Sequence, residues 1–166
     1  RDVFAEQAAA LAEGGADAIV VETMAELDEV VVAVQAAKTT GLPVVGCMCF
    51  DSGADLDRTM MGTTPEQAAK GLCDAGADVI GANCGQGVDG YIEIGRRLVE
   101  SGGLPVWIKA NAGIPKVIDD KVVYEITTQQ YAASARQLAD VGVRFIGGCC
   151  GTSPEFIAAL SRELGA

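Results

Sequence analysis

Three stretches of the chain repeat one another. Ala12-Glu13-Gly14-Gly15-Ala16-Asp17-Ala18-Ile19 resembles Cys73-Asp74-Ala75-Gly76-Ala77-Asp78-Val79-Ile80, and both resemble Ala139-Asp140-Val141-Gly142-Val143-Arg144-Phe145-Ile146. Each copy reads as a helix end, a glycine able to take the left-handed cap, and the entry to a strand. The closing isoleucines, at positions 19, 80 and 146, lie 61 and 66 residues apart, about two βα units each. A chain built this way has to fold as alternating strands and helices.

The punctuation between the copies agrees. Helix-like stretches run over 3–13, 26–39, 91–101 and about 128–141. Thr64-Pro65-Glu66-Gln67 and Thr127-Thr128-Gln129-Gln130 have the form of helix caps, and Ser153-Pro154-Glu155 opens a terminal helix. Short apolar runs at 18–21, 44–48, 78–82, 105–109 and 144–147 read as strands. The stretch 111–125 reads as loop. Five near-continuous apolar strands alternating with six helices predict an α/β fold with a parallel sheet. Paired βα units at this pitch suit a (β/α)8 barrel, and a doubly wound sheet also supplies them. A barrel typically needs about 250 residues. The expectation for residues 1–166 is therefore one domain, about five βα units forming the C-terminal part of a TIM barrel, with the N-terminal barrel strands absent.

Charge and composition exclude several functions. With 23 acidic against 12 basic side chains the net charge is −11, the wrong sign for neutralising phosphates, so no nucleic-acid partner is expected. No apolar run reaches the ~20 residues of a membrane span. Six cysteines in a chain with its own apolar core point to a reducing, cytoplasmic setting rather than to disulfides. Histidine is absent, which removes histidine bases and imidazole metal ligands.

The echoed strands also align the residues just beyond them. After Ile19 comes Glu22, after Ile80 comes Asn83-Cys84, and after Ile146 comes Gly147-Gly148-Cys149-Cys150. A carboxylate, a thiol and a pair of thiols thus fall at the C-terminal ends of alternate strands, where parallel α/β folds bind ligands. Cys84, Cys149 and Cys150 in one mouth form a three-thiolate set suited to Zn2+ with a fourth position open. Neighbouring residues of a strand point to opposite faces, so Cys149 and Cys150 converge only past the strand end; Gly147, Gly148 and Gly151 leave room for that turn. Cys47, Cys49 and Cys73 read as core residues. Two further readings stand beside the zinc site. The Gly147–Thr152 turn opens a helix and could hold a phosphate. The loop from Asp51 to Asp57 has the look of a calcium loop but lacks the closing glutamate, so it reads as solvated.

At Gly81-Ala82-Asn83-Cys84 and Gly147-Gly148-Cys149-Cys150-Gly151-Thr152-Ser153-Pro154-Glu155 the sequence resembles the homocysteine S-methyltransferase family. The resemblance runs over the whole chain. It takes in Val21-Glu22-Thr23 and the loop Asn111-Ala112-Gly113-Ile114-Pro115, which looks closer to the cobalamin-dependent branch. It implies a (β/α)8 barrel, zinc on Cys84, Cys149 and Cys150, homocysteine or a similar thiol in the fourth position, and methyl transfer toward methionine. It also implies that Glu22, with Asn111 nearby, binds substrate. No protein base is identified. The methyl donor, methylcobalamin being the one implied, would come from a corrinoid domain or protein outside this chain. The sequence departs from the family in three places. The family's N-terminal Asp-Gly segment has no counterpart, Ala110 stands where relatives have proline, and Gly85-Gln86-Gly87 is unusual after the first cysteine. These departures leave a second expectation, a non-catalytic zinc-binding fragment or subunit that completes a barrel with another chain.

Overall fold

A computed structural model describes residues 1–165. Helix α1 (Asp2–Glu13) leads into β1 (Ile19–Met24), followed by α2 (Leu27–Ala37), β2 (Val44–Met48), α3 (Pro65–Asp74), β3 (Val79–Gly87), α4 (Tyr91–Gly102) and β4 (Val106–Asn111). A hairpin of β5 (Lys116–Ile118) and β6 (Lys121–Val123) comes next, then α5 (Thr128–Asp140), β7 (Phe145–Gly148) and α6 (Pro154–Leu164). The threonine caps act as their sequence predicts. Thr64 and Thr127 each accept from the backbone N–H three residues on, and Gln67 and Gln130 return the bond.

The main sheet is parallel and runs in the order β1-β2-β3-β4-β7, which is chain order. Right-handed crossovers between sequential neighbours put α2, α3, α4 and α5 on one face, and α1 and α6 pack beside α2 and α5. A doubly wound sheet reverses its strand order at a switch point, and this one does not. The architecture is the wall of a (β/α)8 barrel.

Packing identifies the two faces. A side chain at Gly46 would meet Leu72 and Val34, at 2.6 and 3.2 Å, and one at Gly95 would meet Ile108. Positions 46, 80 and 108 therefore face the helices, where Leu72, Ile80, Leu98, Ile108 and Leu138 are fully buried. By alternation, the other face carries Glu22, Cys47, Asn83, Trp107 and Lys109.

Three strands run further than their apolar cores suggest. β1 continues through Glu22 and Thr23 to Met24, across an irregularity between Val21 and Met24. β3 continues through Cys84 to Gly87, with another irregularity between Cys84 and Gly87, and β4 takes in Ala110 and Asn111. Thr23 and Cys84 have φ of 61° and 64° at these breaks. The 111–125 stretch is also not all loop. Asp119 and Asp120, at φ 49° and 58°, turn the chain so that Val117 pairs with Val122, as a two-residue hairpin turn with both φ positive does.

Candidate metal and substrate site

The strand ends bring the three sulfurs together. Cys84 sits at the break in β3, and Cys149 and Cys150 come directly after β7. Their Sγ atoms all lie within 4.8 Å of one another, with Cys84 and Cys150 3.8 Å apart. Among the described residues this is the one group of three or more potential metal-ligating side chains. The spacing fits the donor set, since tetrahedral Zn–S bonds of about 2.3 Å separate two sulfurs by about 3.8 Å. Cys150 is exposed, so the cluster opens to solvent. In the metal-free cluster the Cys150 thiol is pushed up to about 11, first by its hydrogen bond with Cys84.

The backbone around the sulfurs is held from several sides. Cys149 N–H donates to Ala110 O at 2.8 Å, and Ala112 N–H donates to Cys150 O at 2.9 Å. Thr152 Oγ1 donates to Cys149 O at 2.7 Å. Tyr131, fully buried on α5, places its hydroxyl 2.7 Å from Gly147 O and 3.0 Å from Ala110 O, which ties β7 to β4 just below the thiols. The same bonds weigh against phosphate binding at the Gly147–Thr152 turn. The N–H groups of Cys149, Cys150 and Thr152 all donate within the protein, leaving fewer donors to cradle an anion.

Asn111 is buried, and both ends of its amide are engaged. Its Nδ2 donates to Gly85 O at 3.3 Å and its Oδ1 accepts from Cys150 N–H at 3.0 Å. Glu22 is half-exposed on β1 and lies outside the sulfur group. Its Oε1 is 3.3 Å from Lys109 Nζ, and its Oε2 is 3.4 Å from Asn83 Nδ2.

Two residues of this neighbourhood carry chemistry that the sequence pattern alone does not assign. Lys109 is only 8% exposed, pairs with Glu22, and lies over the Trp107 ring at 4.4 Å. A lysine inside the apolar run of β4 is the available signal, because lysine is almost never buried without a partner. Asn83 is fully buried between Glu22 and Cys149. The remaining cysteines stay apart from the sulfur group. Burial pushes Cys47 and Cys49 up to about 12, and Cys73 donates to Gly102 O. Cys49 bonds Asp51 and is close enough to feel Cys84 and Cys149 electrostatically.

Known proteins resemble the chain along its whole length. It is 30% identical to methionine synthase of Mycobacterium leprae, over 99% of this chain and 14% of that protein. It is 28% identical to betaine–homocysteine S-methyltransferase 1 of Rattus norvegicus, over 99% of this chain and 44% of that one. The chain therefore spans less than half the length of either relative. The crystal structure of the apo homocysteine methyltransferase MmuM from Escherichia coli superposes on 98% of this chain and 57% of its own, with a TM-score of 0.76 at 22% identity, a likeness of fold. The family model for homocysteine S-methyltransferase matches residues 1–164, and the chain belongs to that family.

Proposed function

We propose that this chain carries the thiol-activating part of a methyltransferase acting on homocysteine or a similar amino-acid thiol, in the direction of methionine. The observation that supports it most is the grouping of Cys84, Cys149 and Cys150 at neighbouring strand ends in a chain without histidine. On this reading the three cysteines hold zinc. When bound there, zinc supplies Lewis acidity that lowers the pKa of a thiol, so no histidine base is required. The protein's own groups orient the substrate. Glu22 offers a carboxylate to the α-amino group, and Lys109, 3.3 Å from its Oε1, aims that carboxylate. Asn111 acts at the substrate side by bracing Gly85 against Cys150. The methyl donor, methylcobalamin on this reading, comes from a corrinoid domain or protein outside the chain. Six unpaired cysteines fit a reducing, cytoplasmic compartment. No helix among the described residues is long and apolar enough to cross a membrane.

Cobalt(II) in place of zinc tests this reading without a methyl donor. Homocysteine is expected to shift the sulfur-to-cobalt absorption band of the loaded chain. A band that homocysteine and methionine leave equally unchanged would contradict the reading.

A second reading, a subunit or segment that completes a barrel with further βα units, has one feature in its favour. Among the described residues the sheet ends in two unpaired edge strands, β1 and β7. Beside β1 an open cavity of about 320 Å³ is lined by Phe4, Leu11, Ile19, Val21 and Met24. On this reading the chain holds zinc at its three thiols but is not catalytic by itself. Methyl transfer by the chain alone would argue against it.

A further inference from the structure

Glu22 and the sulfur cluster stand on different strands, and one buried side chain touches both. Asn83 is 0% exposed. Its Oδ1 accepts the Thr23 N–H at 2.7 Å, and its Nδ2 lies 2.7 Å from Thr23 Oγ1. These two contacts fix the amide with its nitrogen toward Glu22 Oε2 at 3.4 Å and Cys149 Sγ at 3.8 Å. Thr23, the residue it grips, has φ 61°. That is a conformation β-branched residues seldom adopt, and one that persists only where neighbours enforce it. The β1–β2 register breaks at the same point. Asn83 thus reaches past the end of β2 and pins the irregular Glu22-Thr23 step from β3, while the same amide nitrogen faces a sulfur on the far side.

We propose that Asn83 is a positioning residue that couples Glu22 to Cys149, holding the substrate's amino-group anchor and the thiol cluster in one fixed relation. The proposal rests on the function proposed above. It differs from a purely structural role for Asn83, which would satisfy buried polar atoms without influencing the sulfurs. Groups that orient metal ligands from behind alter metal affinity 10- to 100-fold when replaced.

The test compares wild type with Asn83→Asp and Thr23→Gly, using zinc and cobalt(II) as probes. Asn83→Asp keeps the shape and the acceptor for Thr23 N–H but loses both N–H donors. Thr23→Gly relieves the left-handed backbone, releases the 2.7 Å anchor of Asn83, and touches no sulfur. Both variants are expected to weaken zinc in chelator competition, Asn83→Asp by about 10- to 100-fold, and both to shift the sulfur-to-cobalt band. Thr23→Gly carries the comparison alone should Asn83→Asp not fold. Wild-type zinc affinity and an unmoved band in the folded variants would overturn the coupling while leaving the proposed function intact. A wild-type chain that binds no zinc would overturn the proposed function itself, and the coupling with it.

Discussion

Asn111 accepts a hydrogen bond from the Cys150 N–H at 3.0 Å. Through its other amide atom it donates to Gly85 O at 3.3 Å. One side chain on β4 therefore braces the turn after Cys84 against the turn that carries Cys149 and Cys150. Asn111→Ala leaves the Cys150 N–H and the Gly85 carbonyl without a partner. The expected cost is about 1 kcal/mol of stability, the low end of the penalty for orphaned groups, because both are only partly buried. Zinc affinity is expected to fall about 10- to 100-fold. Chemical denaturation and chelator competition check the two effects separately.

Gly151 has φ +79°, and a Cβ there would collide with the Tyr124 ring. Gly151→Ala is expected to lose zinc and to destabilise the chain, with roughly 1–2 kcal/mol coming from the left-handed backbone alone. Tyr124→Ala frees the space but not the conformation. The double variant should recover only part of the loss, measured as zinc content and melting temperature together.

Lys109 and Glu22 pair at 3.3 Å on the face opposite the helices. Glu22→Gln leaves the largely buried ammonium without its counter-charge, beside a neutral amide oxygen and the Trp107 ring, so it should destabilise more than Lys109→Met, whose lost charge leaves behind a half-exposed carboxylate. Glu22→Gln is also expected to raise the KM for an amino-acid thiol without changing zinc content. Denaturation curves and steady-state kinetics on the two variants check the order.

Arg97 holds Glu66 at 2.6 Å and Asp57 at 2.7 Å, which fastens the 51–63 loop and α3 to α4. Its guanidinium lowers the Glu66 carboxyl from about 4.5 to about 2. A carboxylate depressed in the folded state contributes stability above its unfolded pKa and loses it as pH falls through the folded one. The side chain is 47% exposed, so solvent screening keeps the contribution to about 1 kcal/mol or less. Glu66→Gln should therefore be slightly less stable than wild type at pH 7, with the gap closing between pH 4.5 and 2. Urea denaturation at several pH values reads this difference.

Much of the wall and of the sulfur site is legible in the sequence because both depend on local signals. The threonine caps, the left-handed glycines and the repeated strand entries mark each βα unit, and the glycines flanking Cys149 and Cys150 mark a strand that has ended. Strand order is not legible, since nothing local distinguishes β1-β2-β3-β4-β7 from a reversed sheet. The β5–β6 hairpin escapes notice because its strands are three residues long and turn on Asp119-Asp120, a weaker hairpin signal than Asn-Gly. Asn83 belongs to a legible motif, yet nothing local assigns it a role. Its contacts to Thr23 and Cys149 span 60 and 66 residues, and only the parallel register of the strands brings them together.

Everything proposed for the site depends on what Cys84, Cys149 and Cys150 hold. Zinc per chain, measured by elemental analysis on wild type and on Cys84→Ala, Cys149→Ala and Cys47→Ala, tests that most directly. The expected result is one zinc in wild type and in Cys47→Ala, and a marked loss in the other two. Full, tightly held zinc in Cys149→Ala, or none in the wild-type chain, would contradict it.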